Sequence, residues 1–119
     1  QRILQLVNAE RESRGLPALK LHAALCDAAQ LRSREIVSNF SHTRPDGTDC
    51  FTVMEGVAGY LCLGENIANG YADPQAVMEG WMNSAGHRKN ILNANFTSIG
   101  VGYYLDAAGT AHWVQLFTA

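Results

Sequence analysis

The sequence has no apolar run approaching the roughly 20 residues that a helix needs to cross a bilayer, so no part of it reads as a membrane-spanning helix. Basic charge is not in surplus: nine lysines and arginines stand against eleven aspartates and glutamates, a formal charge of -2. That leaves no positive field to gather a phosphate backbone, which argues against nucleic acid as a partner. Cysteine is scarce. Cys26, Cys50 and Cys62 are too few for a disulfide scaffold, and their odd number leaves at least one thiol without an intramolecular partner. The chain opens directly in a helical pattern, with no basic n-region and apolar h-region, so no signal peptide is legible from Gln1 onward. Linkers, repeats and low-complexity tracts are missing too, and residues 1–119 read as a single domain. A chain of that size buries about two-thirds of the surface its unfolded form exposes.

What is present is strong periodicity. Ile3, Leu6 and Val7 recur at helical spacing, and Arg14-Gly15-Leu16-Pro17 supplies a cation, a glycine and a proline in the order that stops a helix near Arg14. Glu10, Arg11, Glu12 and Arg14 then read as an exposed face with an i,i+4 pair between Glu10 and Arg14. Leu25, Ala28, Ala29, Arg32 and Ile36 form the stripe of a second helix over His22 to Asn39, with His22 as a polar helix-start residue. Thr43-Arg44-Pro45-Asp46-Gly47 is a tight turn in a loop from Ser41 to Gly47. A short helix from Thr48 to Val57, stopped at Gly59, is expected next. Leu61 to Asn69 is readable equally as strand or extended loop.

Asp73-Pro74 has the form of an N-cap with proline at the first helical position. Val77 and Trp81 stack four apart in the helix that follows, which is predicted to break at Gly86. Arg88-Lys89 reads as a solvated pair near its end. Ile99, Val101, Tyr103 and Leu105 alternate, Asp106-Ala107-Ala108-Gly109 turns the chain, and Ala111 to Thr118 returns as the second strand of a hairpin. Gly100 and Gly102 fall on the opposite face of the first strand, where missing side chains let a helix approach closely. The partner strand is apolar on both faces, His112 being one of its residues, so the sheet is expected to be covered on both sides. Trp81, Trp113, Tyr103 and Phe117 are assigned to the core.

Ordered along nearly the whole chain are Leu6 to Leu16 with Asn8 and Arg11, Phe40-Ser41-His42 with Arg44-Pro45, and Gly64-Glu65-Asn66-Ile67. Trp81-Met82-Asn83-Ser84, Gly86-His87-Arg88, Asn90-Ile91-Leu92, Ile99-Gly100-Val101-Gly102 and Trp113-Val114-Gln115 follow. In order and spacing this series resembles the CAP family of cysteine-rich secretory, antigen five and pathogenesis-related proteins, in its bacterial extracellular branch. The resemblance implies an α+β fold, a three-layer α-β-α sandwich with a central antiparallel sheet and a cavity on one side. It also implies an extracellular or cell-wall location.

The family's cavity is typically lined by two histidines and two glutamates. His42, Glu65 and His87 match three of those positions, while Ser84 stands where many eukaryotic members have the second glutamate. Glu79 is out of register for that role. Chemically, neutral imidazoles of His42 and His87 suit a divalent metal such as zinc, with Glu65 accepting a hydrogen bond or orienting an imidazole from behind. The competing reading is a buried polar cluster that fixes two loops.

For function, the resemblance points to a secreted binding module for a small molecule, lipid or peptide. The alternatives are a metal-dependent hydrolase of peptides or cell-surface polymers, with Glu65 as candidate general base, and a structural module displayed on a cell wall. Neither H-E-x-x-H nor G-x-S-x-G occurs, and no local signature pairs a cysteine with a histidine, which makes the enzyme reading the weaker one. Cys50 reads as a buried thiol rather than a nucleophile. If the chain is exported, Cys50 and Cys62 are the expected disulfide, contributing about 3 kcal/mol.

Overall fold

The computed structural model describes residues 2–54 and 63–119. Helix α1 (Arg2–Glu12) buries Ile3, Val7 and Arg11, one every fourth residue. It ends two residues before the expected Arg14, because Gly15 takes φ +73 and the Leu16 N–H turns back to the Arg11 carbonyl at 3.0 Å. Glu10 and Arg14 pair at 2.8 Å as expected. Arg11 does not share their exposed face: it is fully buried.

Strand β1 (Lys20–Leu21), which the sequence did not announce, leads into α2 (Ala23–Ser38). His22 caps that helix, its ring accepting from the Leu25 N–H at 3.4 Å. The stripe on α2 is buried as read, with Arg32 and Ser33 in it. After the turn at Gly47, where φ is +87, the expected helix from Thr48 begins as a 3₁₀ turn over Cys50–Met54. The rest of that segment, with Gly59, Leu61 and Cys62, lies outside the described residues, and the proposed Cys50–Cys62 disulfide with it. Among the described residues the thiols of Cys26 and Cys50 are free.

Strand β2 (Leu63–Asn69) resolves the strand-or-loop ambiguity in favour of strand. Helix α3 (Pro74–Met82) starts on its Asp73 cap, which accepts from the Ala76 N–H at 2.8 Å. The break predicted at Gly86 comes earlier. Ser84 is extended, at φ -111 and ψ 122, so α3 stops at Met82 and Gly86 sits in the first turn of α4 (Ala85–Ile91). Strands β3 (Ser98–Leu105) and β4 (Ala111–Thr118) form the predicted hairpin, closed by Asp106 accepting from the Ala108 and Thr110 N–H groups.

The sheet runs β1-β3-β4-β2, its three long strands antiparallel and β1 parallel to β3. One face packs on α2, giving a core of Leu25, Ile36, Val114 and Leu116; the other packs on α1 and α3 around Trp81, Trp113 and Phe117. Gly100 and Gly102 explain the first contact. A Cβ on either would strike the α2 backbone at Leu25 or Ala29, so glycine lets the helix lie directly on β3. Tyr103 differs from its core assignment, being 39% exposed and packed edge-on against Trp113. Arg88 and Lys89 are exposed.

Strand β2 is the far edge of the sheet, and its register decides which groups face outward. Asn69 lies opposite His112, and the Gly70 N–H bonds the Ala111 carbonyl at 2.9 Å. By the alternation of an antiparallel ladder, Gly64, Asn66 and Ala68 exchange main-chain bonds with β4, and Glu65, Ile67 and Asn69 direct theirs off the sheet. Two side chains confirm the parity: Asn90 donates to the Glu65 carbonyl at 3.2 Å and Trp81 to the Ile67 carbonyl at 3.3 Å.

Candidate functional site

The cleft lies along that edge, and alternation of side chains on β2 divides it between two layers. Glu65 faces α2. Its carboxylate takes two bonds from Arg32, Nε at 2.7 Å and Nη2 at 3.0 Å, and lies 2.9 Å from His42 Nδ1. Asn66 faces the opposite way and is fully buried, donating to the His87 carbonyl at 3.1 Å and to Gln115 at 3.0 Å while accepting from Asn90 at 3.0 Å. Gly64 has its own reason: a Cβ there would come within 2.8 Å of the Phe96 ring. Within Gly64-Glu65-Asn66-Ile67, one residue therefore makes room, one orients His42, one anchors α4 and one fills the core.

His42 is held by its own loop. The Cys50 N–H bonds the His42 carbonyl at 2.8 Å, next to an isolated bridge between Thr43 and Asp49. Its side chain is 58% exposed and presents Nε2 outward once Nδ1 is engaged by Glu65. His42, Cys50 and Glu65 each offer one potential ligand atom, all within 4.8 Å of one another. Burial, and then the negative charge of Glu65, push the Cys50 thiol up to about 12, so it stays protonated and unreactive near neutral pH.

Behind His42 runs a chain of charges. Arg32 also donates to Glu35 at 3.0 Å and to the Ser41 carbonyl at 2.7 Å, and Glu35 is clamped from outside by Arg44 at 2.6 Å. Burial alone would lower the Arg32 pKa, but hydrogen bonds and charge from Glu65 and Glu35 outweigh it and raise it. Arg44, Glu35, Arg32, Glu65 and His42 thus form one connected series that ends in an imidazole at the cleft.

Ser84 and His87 line a cavity of about 270 Å³ with Phe40, Tyr71, Trp81 and the β2 segment Ile67 to Asn69. His42 and Glu65 line another of about 270 Å³ beside Cys50, Gly64 and Asn90. The His87 pKa is lowered, first by burial and then by the neighbouring charge of His42. The two histidines reach the edge of β2 from opposite sides, His42 after α2 and His87 from α4.

Sequence reasoning did not name Arg32, Glu35, Arg44, Asn66 or Asn90 as parts of this site. Arg32 carried a usable signal, since an arginine inside an apolar helical stripe needs a buried acid or its equivalent. Arg44 and Glu35 carried none, because their pairing depends on how the loop folds back on α2.

The sequence profile of the cysteine-rich secretory protein family, CAP, matches residues 4–117. The chain belongs to the CAP family. It is 40% identical over 120 residues to the uncharacterized protein YkwD of Bacillus subtilis (strain 168), covering 98% of this chain and 46% of that protein. A second B. subtilis relative, the uncharacterized membrane protein YlbC, is 38% identical over 105 residues, covering 86% of this chain and 30% of YlbC. The chain therefore spans less than half the length of the curated relatives it matches. Among solved structures, an extracellular protein containing an SCP domain from Bacillus anthracis str. Ames superposes with TM-score 0.89 at 36% identity, over 99% of this chain and 39% of that one. NaASP2, solved with Zn2+, has TM-score 0.70 at 14% identity over 98% of this chain and 77% of that one, a likeness of fold. The CAP fold seen here is α+β, with four α-helices and a four-stranded mixed sheet among the described residues.

Proposed function

We propose that this CAP chain is an extracellular or cell-wall binding module whose cleft, lined by His42, Glu65, Ser84 and His87, takes a small molecule, lipid or peptide. A divalent cation such as zinc belongs on the neutral imidazoles of His42 and His87. The observation that carries this reading is the enclosure of Glu65. Both of its oxygens are held, one by Arg32 alone and one by Arg32 and His42, and its side chain is 1% exposed, so it orients an imidazole from behind and is withdrawn from the water that a general base would have to activate. That is the arrangement of a ligand holder rather than of a hydrolase.

The donor set fits zinc on chemistry. Among the described residues, neither His42 Nε2 nor the His87 ring has a hydrogen-bond partner, so a cation there displaces no protein contact. Cys50 and Glu65 are poorer ligands: one would have to ionise against burial and the other to leave Arg32. NaASP2, of the same fold, was solved with Zn2+. The role of Zn2+ here would be to fix and polarise an acceptor group of the bound ligand.

Titration calorimetry with zinc chloride at pH 7.5 tests the reading on wild type, His42→Ala and His87→Ala. Wild type is expected to bind saturably, either variant to lose the signal, and wild-type affinity to fall in acid as the imidazoles protonate. Absence of heat in wild type removes the metal. Zinc-dependent cleavage of a peptide library that His42→Ala abolishes would establish the hydrolase instead.

A further inference from the structure

Two aromatic residues stand in solvent along the Ser84–His87 cavity, and the fold anchors both of them there. Tyr71 is 36% exposed and Phe40 52%, and each lines that cavity. Tyr71 is fixed through its main-chain carbonyl, which accepts from the indole of the buried Trp113 at 2.9 Å. Its phenol lies against α3 at Gly80, where a Cβ would collide with it. Glycine is a poor residue for a helix interior, and at position 80 it leaves the space that the ring takes. Phe40 precedes Ser41, whose carbonyl accepts from the fully buried Arg32 guanidinium at 2.7 Å. An aromatic ring left outside the core forgoes the stabilisation that its burial brings. Here two are kept out beside one cavity.

The polar part of the lining selects the occupant. The side chains of Asn69, Ser84 and His87 and the Tyr71 hydroxyl have no hydrogen-bond partner among the described residues. Each can both donate and accept, the imidazole because burial and the neighbouring charge of His42 favour its neutral form. Among the described residues no aspartate, glutamate, lysine or arginine lines the cavity. A phosphate, carboxylate or ammonium group would therefore enter without a counter-charge. An acyl chain would take four polar groups out of water and offer none of them a partner. A sugar ring meets both halves of the lining. Its hydroxyls donate and accept around the rim, and its C–H face is apolar and lies flat on an aromatic ring. At about 270 Å³ the cavity is at the small end for ligand pockets, a size for one ring rather than for a long chain.

We propose that this cavity seats a neutral pyranose ring of an oligosaccharide, its C–H face on the rings of Tyr71 and Phe40 and its hydroxyls on Asn69, Ser84 and His87. The proposal rests on the cleft being a binding site and names the ligand class it takes; it does not depend on metal.

The test titrates cellotetraose, maltotetraose and the tetramer of N-acetylglucosamine into the protein in zinc-free buffer, read by saturation-transfer NMR with irradiation of the aromatic protons. At least one is expected to bind at millimolar concentration, with the strongest transfer to the C–H protons on one face of a single ring. Phe40→Ala removes an exposed ring and should weaken binding roughly fivefold with the thermal melt unchanged. Tyr71→Ala should cost a similar factor, and Tyr71→Phe, which keeps the ring, should retain most of the affinity. Gly80→Ala should also weaken binding, by displacing the Tyr71 phenol. No binding by any of the three sugars, or binding that Phe40→Ala and Tyr71→Ala both leave unchanged, would overturn the proposal. Decanoate or a terminally blocked tetrapeptide that shifts the Tyr71 and His87 ring resonances where the sugars do not would also overturn it, while leaving the binding-module reading standing. Silence from sugars, decanoate and peptide alike would remove both.

Discussion

Arg11 and Arg32 are both completely buried on inward stripes of their helices, and the protein keeps them there by opposite means. Arg11 meets only neutral carbonyls: Pro17 at 2.9 Å, Ile91 at 3.0 Å, Asn93 at 2.8 Å and Phe96 at 3.3 Å. Burial lowers its pKa with nothing to oppose it. Arg32 meets two carboxylates, and they raise its pKa against the effect of burial. A guanidinium among carbonyls is a staple, tying α1 to the segment between α4 and β3. A guanidinium that holds an acid, which in turn holds an exposed imidazole, positions a cleft. The charge of the acceptor, not the depth of burial, separates the arginine that staples the scaffold from the one that supports the proposed site.

The largest expected effect comes from breaking the charged member. Arg32→Met leaves Glu65 buried without a counter-charge and should cost about 3 to 5 kcal/mol, read as the shift in urea midpoint. Adding Glu65→Gln should restore a substantial part of it, because the penalty lies in the stranded charge. A loss of under about 1 kcal/mol in the single variant would show that the pair is solvated and the contrast with Arg11 misplaced.

Arg11→Met should cost somewhat less, about 2 to 3 kcal/mol, since the groups left behind are neutral. Its effect should add simply to that of Glu65→Gln and leave calorimetric zinc binding unchanged. Strong coupling between the two would mean that the staple and the site are one network.

The smallest effect belongs to the outer end of the series. Arg44 and Glu35 side chains are 17% and 14% exposed, and Arg44→Ala should cost about 1 kcal/mol near neutral pH. Burial tends to raise the Glu35 pKa, but hydrogen bonds from Arg44 and Arg32 prevail and hold it below its reference value of 4.5. The folded pKa is therefore below the unfolded one, so this stabilisation is complete above about 4.5 and fades as pH falls through the folded value. Melting curves of wild type and Arg44→Ala should stay a constant distance apart from pH 8 to pH 5 and converge in more acid buffer. A gap that persists to pH 3 would rule out the Glu35 pairing as its source.

These variants also show where sequence reading reaches its limit. Arg11 follows Ile3 and Val7 at the same spacing of four, so its burial was legible in the stripe and was missed only because arginine is usually exposed. The close approach of α2 to β3 was legible in Gly100 and Gly102, since only the absence of a side chain allows it. His42 and Glu65 could be named from their motifs, but their 2.9 Å contact could not be derived from spacing. The link from Cys50 to His42 runs through a loop whose bridge between Thr43 and Asp49 has no periodic signature.

Helix stripes, caps, the Asp106–Gly109 turn and the alternation of β4 follow from local chemistry, because period and backbone preference act over a few residues and are written in their order. Which groups meet along the outer side of β2 follows from none of these. It depends on β2 lying outermost, on Asn90 and Trp81 reaching its carbonyls from helices 14 or more residues away, and on two layers bringing His42 and His87 to the same strand. Those are long-range packing outcomes. The same motif residues arranged on an inner strand would have had both edges paired, and no cleft to line.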